Sequence, residues 1–325
     1  MSRLYLRDFK LTLEGGDSAP DFSKLRMKFM TRQTVGSTPN IAVISIYNVS
    51  QATAGRFTTD KEFKKVTLEA GYKGFTGVIF QGEIQKCIYG PESPIETRLD
   101  IYAQDGFQAI SYAKVNTALA SGYTSRDVFD ACHKAMSPFG IGLGFVADGL
   151  TRTKATRGIV LCDYAVSILR TLENKHGARW SVTGGKLNLV SNTKGMPSQN
   201  GPYVLNSETG MIGRAIQDFD GIRVRTLLIP SIQYESTVKI DQKSVMQAAP
   251  DQSIRAEAIN QMQPTIAADG LYRVLYIERR GDTHANEWYN DLTCLSVTNK
   301  NSDGTPGFVP QSLVPYLAPG VPAQN

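Results

Sequence analysis

Apolar residues at every second position, punctuated by glycine, run through the first hundred residues and confine that stretch to β-structure. Leu25, Met27 and Phe29 alternate with Arg26 and Lys28, and Val66, Leu68, Ala70 and Tyr72 alternate with Thr67, Glu69 and Gly71. Ile41 to Tyr47 is apolar on both parities, the pattern of a strand covered on two sides. Lys73-Gly74-Phe75-Thr76-Gly77 reads as a turn before Val78-Ile79-Phe80, and Leu99, Ile101 and Ala103 alternate with Arg98, Asp100 and Tyr102 before Asp105-Gly106 closes the block. Short strands with this punctuation predict an antiparallel sandwich or barrel over residues 1–106.

Helical spacing then takes over. Thr124-Ser125-Arg126-Asp127 is a capping-box pattern: the hydroxyl accepts an amide proton and the acid three residues on reaches back. Val128, Cys132, Ala135 and Met136 follow on one stripe until Pro138. A second helix is predicted from near Asp163, with Ala165, Ile168, Leu169 and Leu172 on one face and Gly177 as its stop. Trp180–Thr183 and Lys186–Val190, joined by Gly184-Gly185, read as a hairpin. Residues 107–192 are therefore expected to form a small α/β unit. Strand patterns return in 193–298: Ile222, Val224 and Thr226; Val238 and Ile240; Tyr272, Val274 and Tyr276; Leu292 and Cys294. They enclose a long polar insertion at about 241–269, with a short helical pattern near Ile254–Ile259. Residues 299–325 hold five prolines (Pro306, Pro310, Pro315, Pro319 and Pro322) and read as an extended tail.

The two β-regions echo each other. Laid on one another without gaps, Gly77–Leu99 and Gly270–Leu292 place Ile84 on Ile277, Ile101 on Cys294 and Ala103 on Ser296. The fold class expected is mainly β (α+β), with two similar antiparallel β-domains flanking the α/β insert.

Chemistry is harder to find. A net charge of +5 over 325 residues excludes a dominant polycationic surface but leaves room for local basic patches at Lys61, Lys64 and Lys65, at Arg152, Lys154 and Arg157, and at Arg279 and Arg280, all read as solvated. No stretch has the ~18 unbroken apolar residues of a membrane span, and the first residues have no apolar run of a signal peptide, so a soluble protein made in a cytoplasm is expected. Cys87, Cys132, Cys162 and Cys294 lie apart and are expected to be reduced, semi-buried thiols. His133 and His176 fit structural places on the two helices, and Gly281-Asp282 before His284 fits a turn. Gly140-Ile141-Gly142-Leu143-Gly144 lacks the third glycine and the following helix of a dinucleotide site and is expected to be a glycine-rich strand or loop. No nucleophile, paired-carboxylate or metal-ligand pattern emerges; no cofactor and no enzymatic activity are expected.

Several stretches, read in order, resemble a known family. Val66–Tyr72 (with Gly71 and Tyr72), Ile79–Ile84 (with Phe80 and Gly82) and Leu99–Gly106 (with Asp105 and Gly106) resemble the first β-domain of baseplate hub proteins of contractile phage tails. These are the Mu-like and T-even-like central hubs, related to the hub part of contractile injection systems. Thr209–Gly213 (with Gly213), Gly221–Arg225 and Leu227–Pro230 resemble the start of the second β-domain of such hubs. Asp269–Val274 (with Gly270 and Tyr272), Gly281–Thr283 (with Asp282) and Trp288–Leu292 (with Tyr289) resemble its end. The insertion and the tail match nothing in that family.

The resemblance implies a homotrimer at the centre of the baseplate, in the virion, assembled in the host cytoplasm. Two tube-like domains per chain would form a pseudo-sixfold ring that meets the hexameric tail tube on one side and the central spike on the other. Tape measure and baseplate wedge proteins are further candidate partners; DNA would pass only in transit, and no stable membrane insertion is implied. The fifteen positions named above would be structural, with no catalytic, cofactor or metal residue. The alternatives are a tail-associated cell-wall hydrolase, housed in 107–192, or a carbohydrate-binding tail-tip module, for which Tyr272, Tyr276, Trp288 and Tyr289 would have to lie on loops rather than in strands.

Overall fold

The computed structural model describes residues 4–15, 20–34, 39–191, 201–218, 221–241, 245–247 and 270–296. The Ile254–Ile259 pattern, the rest of the insertion apart from Asp241 and 245–247, Asp269 and the proline-rich tail lie outside these residues.

The chain is mostly β, built on large antiparallel sheets. A first set comprises β1 (Arg7–Glu14), β2 (Met27–Gln33), β3 (Ile41–Tyr47), β4 (Lys65–Tyr72), β5 (Phe75–Pro91) and β6 (Thr97–Gln104), with helix α1 (Gln51–Thr58) between β3 and β4. A last set comprises β12 (Tyr203–Leu205), β13 (Met211–Asp218), β14 (Gly221–Leu227), β15 (Thr237–Ile240), β16 (Val245–Gln247), β17 (Leu271–Asp282) and β18 (Trp288–Ser296). Both sets belong to one sheet of thirteen strands, ordered β1-β4-β5-β6-β3-β2-β17-β18-β14-β13-β16, with β15 on β17 and β12 on β15.

The two sets pair alike. The β2–β3 hairpin joins β6, which pairs β5, then β4, then β1; the β13–β14 hairpin joins β18, which pairs β17, then β15, then β12. In the first set the β5–β6 register slips between Ile84 and Lys86, and in the last the β17–β18 register slips between Val274 and Tyr276. Matching the slips puts Cys87, which faces Ile101, in the place of Ile277, which faces Leu292. The gapless overlay from sequence thus selects the matching hairpins in the wrong register, three residues off in the first strand and two in the second. One pairing differs outright: β1 runs antiparallel to β4, whereas β12 runs parallel to β15.

The period-2 runs bury one face each. Met27, Phe29, Ile44, Leu68, Leu99 and Ile101 form the first core, closed by Phe57 of α1 and by Phe63. Val224, Tyr272, Val274, Ile277, Leu292 and Cys294 form another. On the other parity of Ile41–Tyr47, Ile41, Val43 and Ser45 are only half-buried and Tyr47 alone is buried, so most of that strand is covered on one side and not on two. Its opposite parity faces the outside of the sheet. The turn between β4 and β5 is also shorter than the sequence suggests: Tyr72 already pairs Phe75, so only Lys73 and Gly74 turn the chain.

Between the two sets lies the third core. Helix α2 (Phe107–Tyr112) leads to β7 (Lys114–Leu119), α3 (Ser125–Met136), β8 (Gly142–Val146), β9 (Ile159–Tyr164), α4 (Ala165–His176), β10 (Ala178–Thr183) and β11 (Lys186–Ser191). The capping box at α3 is formed: Asp127 N–H reaches Thr124 Oγ1, and Thr124 N–H reaches Asp127 Oδ2 at 2.7 Å. Gly177 ends α4 in the left-handed region, φ +54°. Gly184 and Gly185 turn the β10–β11 hairpin at φ +60° and +68°, which only glycine adopts at both central positions without strain. Phe129, Cys132, Leu169, Leu172, Trp180 and Leu189 fill the core. The Gly142–Gly144 stretch is strand β8, paired with β11. The two-stranded β7–β9 sheet adds to the two helices and the hairpin expected from sequence.

Candidate interaction surface on the continuous sheet

Strand β2 splices the two strand sets by pairing β17 from Ile277↔Gln33 to Asp282↔Lys28. Gly281 carries no side chain because Phe29 occupies the space: a Cβ there would come within 2.3–2.9 Å of the Phe29 ring. Phe29 meets Trp288 edge-on at 5.4 Å, and Trp288 Nε1 donates to the Gly71 carbonyl at 3.1 Å. Asp282 accepts from Arg26 at 2.8 Å and from the N–H groups of His284 and Ala285, the turn role expected of it. Arg7 donates to the Asp282 carbonyl at 3.0 Å and lies over the Trp288 ring. Gly71, Gly281, Asp282 and Trp288 are thereby brought together at the splice.

The other named positions fall elsewhere. Tyr72 and Phe80 lie in the first core and Tyr272 in the last. A Cβ on Gly82 would meet Phe80 and the Gln104 backbone. Gly213 sits within the β13–β14 register slip, Gly221 starts β14, and the Gly270 carbonyl accepts from Ile240 at 2.9 Å. Tyr289 lies on the outer sheet face under Arg225, 4.3 Å from guanidinium to ring centre. Asp105 sits at the end of β6, where its carboxylate accepts from Gly184 N–H at 2.6 Å and Gly185 N–H at 3.2 Å. Gly106, φ +64°, packs under Val182, and Asn40 donates to the Val182 carbonyl at 3.0 Å. Asp105 and Asn40 thus dock the hairpin of the middle unit on the first strand set. Burial pushes the Asp105 carboxyl up to about 7, against the two glycine N–H bonds and Asn40, which favour the charged form.

The face of the sheet turned away from the cores runs unbroken across the splice. Strand alternation and register put Lys86, Arg98, Asp100, Tyr102, Lys28 and Arg32 on it from the first set. Tyr276, Glu278, Arg280, Tyr289, Asp291, Arg223 and Arg225 join them from the last. Basic side chains outnumber acidic ones there, and acids on the neighbouring strand or two residues away on the same strand hold several of them. Arg225 binds Asp291, its register partner, through Nε at 2.7 Å and Nη2 at 3.1 Å. Glu278 takes its register partner Arg32 at 3.3 Å, Arg280 Nε at 2.6 Å and the Tyr276 hydroxyl at 2.6 Å. These bonds outweigh burial and hold the Glu278 carboxyl below the usual range. Asp100 takes Arg98 at 3.0 Å and the Ser45 hydroxyl at 2.5 Å.

Reading Arg279 and Arg280 as one solvated basic patch needs correction. Consecutive strand residues point to opposite faces. Arg280 is on the outer face, whereas Arg279 is fully buried, donating to Gln33 Oε1 at 2.9 Å and the Ile232 carbonyl at 2.7 Å, and desolvation pushes its guanidinium down to about 10. The cysteines are free thiols, but Cys162 is exposed and Cys132 and Cys294 fully buried. Sequence reasoning missed a pairing of His176 Nε2 with Ser125 Oγ at 2.7 Å, to which Lys175 also donates at 3.3 Å. Ser125 is only 4% exposed, so the pair ties the start of α3 to the end of α4 rather than presenting a nucleophile. Among the described residues no group of three or more His, Cys, Asp or Glu side chains is placed to hold a metal ion, and no helix is long and apolar enough to cross a membrane. Tyr272, Tyr276, Trp288 and Tyr289 are all in strands.

No protein-family model matches the sequence, and no curated protein does either. Solved structures do match. The 43 kDa tail protein of prophage MuSo2 from Shewanella oneidensis superposes with a TM-score of 0.56 at 10% identity, over 89% of this chain and 99% of that one. A tail protein from Neisseria meningitidis MC58 gives 0.54 at 10% identity, over 93% and 100%. The E. coli c3393 protein, a component of the type VI secretion system that exhibits structural similarity to the T4 bacteriophage tail proteins gp27 and gp5, gives 0.53 at 10% identity, over 93% and 79%. Across nearly its whole length, the chain has the fold of these tail and secretion-system proteins.

Proposed function

We propose that the protein is a structural component of a contractile phage tail: a homotrimeric baseplate hub that adapts the hexameric tail tube to a threefold spike and forms part of the DNA-ejection channel. The carrying observation is the repeated strand pairing, in which β2-β3-β6-β5-β4 and β13-β14-β18-β17-β15 follow the same order and share a register slip. A ring of three chains presents six equivalent edges only if each chain contributes two such units. On this reading residues 1–106 and 193–298 are tube-like barrel domains and 107–192 braces them, since it bonds to the first set through Asp105 and Asn40 and to the last through Arg273, which donates to the Ser191 carbonyl at 3.2 Å. The fold shared with tail proteins supports the tail location and, as partners, the chain itself, the tube, the spike, and tape measure or wedge proteins.

Mass photometry on the purified chain tests the hub. A three-chain species is expected; a monomer alone at micromolar concentration refutes the trimer. Clearing of peptidoglycan in a zymogram, which is not expected, would favour the hydrolase instead.

A further inference from the structure

We propose that the carboxylates on the outer face of the continuous sheet occupy its arginines so that duplex DNA moves across that face without being gripped, with Asp291 and Glu278 setting the residual affinity. The proposal rests on the hub reading for the identity of the polyanion and on the observed face for its mechanism.

An arginine grips a phosphate through its planar fork of N–H donors. On this face the forks of Arg98, Arg225 and Arg280 are already engaged. Arg225 spends Nε and one Nη on Asp291 and lays its plane over Tyr289. Glu278, almost buried, takes both Arg32 and Arg280. The half-exposed Arg225–Asp291 pair adds little to stability, so its place on this face is better accounted for by what it withholds. The face is basic enough to attract a polyanion, and its forks are held by acids two-dimensionally interleaved with them. Phosphates arriving there must displace a carboxylate that is already in place, so contacts form weakly and break quickly. Bare arginines in the same positions would each add a phosphate contact and a step of salt dependence.

Salt titration of the full-length chain against a short fluorescent duplex tests this. Asp291→Asn releases Arg225 and is expected to steepen the slope of log affinity against log salt by about one, so that affinity falls about three- to fourfold more than in the parent between about 50 and about 200 mM salt. The double variant Asp291→Asn/Arg225→Gln should return to the parental slope. Asp130→Asn is the control: it makes the same charge change and opens the Arg126–Asp130 pair on α3, away from the sheet, and should leave the slope alone. Glu278→Gln, which releases Arg32 and Arg280, provides a second route, and melting curves verify folding of each variant. An unchanged slope in both Asp291→Asn and Glu278→Gln, or an equal steepening in Asp130→Asn, overturns the proposal. Light scattering on the same samples separates it from the hub reading: a trimer with unchanged slopes defeats the clamp alone, whereas steepened slopes in a chain that stays monomeric support the clamp and defeat the hub.

Discussion

Asp105 offers a perturbation whose size can be worked out in advance. Its carboxyl ordinarily titrates at 3.8 and in the folded chain at about 7, chiefly because it is buried. A folded value above the unfolded one stabilises the fold fully below pH 3.8, and that contribution is lost as pH rises towards 7. The two values lie about three pH units apart, which at about 1.4 kcal/mol per unit amounts to roughly 4 kcal/mol. About half of it, roughly 2 kcal/mol, disappears between about pH 5.5 and about pH 8.5. Asp105→Asn keeps the shape and one acceptor oxygen but does not titrate. It leaves one of the Gly184 and Gly185 N–H groups short of an acceptor, an offset of about 1–3 kcal/mol that does not vary with pH. Urea unfolding followed by tryptophan fluorescence, with Trp180 buried in the docked unit, should therefore show the parent losing about 2 kcal/mol relative to the variant across that interval. Taking the difference between the two proteins removes every other titrating group. Parallel stability curves for parent and variant would refute the argument that burial, and not the two glycine N–H donors, governs this carboxyl.

Other outcomes follow from the splice and the sheet faces. Gly281→Ala should destabilise by about 1–3 kcal/mol, since its Cβ drives into Phe29; the urea midpoint reads this. Arg279→Ala should cost about 3 kcal/mol or more, through a cavity and two stranded acceptors on Gln33 and Ile232, whereas Arg280→Ala should cost about 1 kcal/mol in the same assay, through the weakened hold on Glu278, which keeps Arg32. Deleting 299–325 should abolish the three-chain species in mass photometry and leave the melting temperature of the isolated chain unchanged.

What could be read from the sequence was local. The capping box at Thr124, the stop at Gly177 and the two-glycine hairpin at Gly184 each depend on a handful of adjacent residues, and each forms as expected. Helix α1 escaped notice because it is short, carries Gly55 in its middle and has no acid in its first turn, although Ser50 caps it. Strand β1 was missed for a related reason: Phe9, Leu11 and Leu13 alternate, but the strand lies at a sheet edge and only Leu13 is fully buried. The sheet-face pairs left only half a signal. Arg98 with Asp100 and Glu278 with Arg280 show as charges two apart, yet Arg225 meets Asp291 only through a register that a separation of 66 positions does not reveal. For the same reason Arg279 could not be told from Arg280 until β17 had neighbours on both sides.

The splice also sets a timetable. Arg279 finds Gln33 across 246 positions, and Asp282 finds Arg26 across 256. A ribosome adding about 5–20 residues per second holds β2 without its β17 neighbour for something over ten seconds. During that interval the open edge of β2 displays unpaired N–H and C=O groups to anything nearby, including nascent copies of itself. Contacts of such long range also fold slowly once the chain is complete. Yield from overexpression should therefore be governed less by the final stability of the protein than by how crowded translation is while that edge waits.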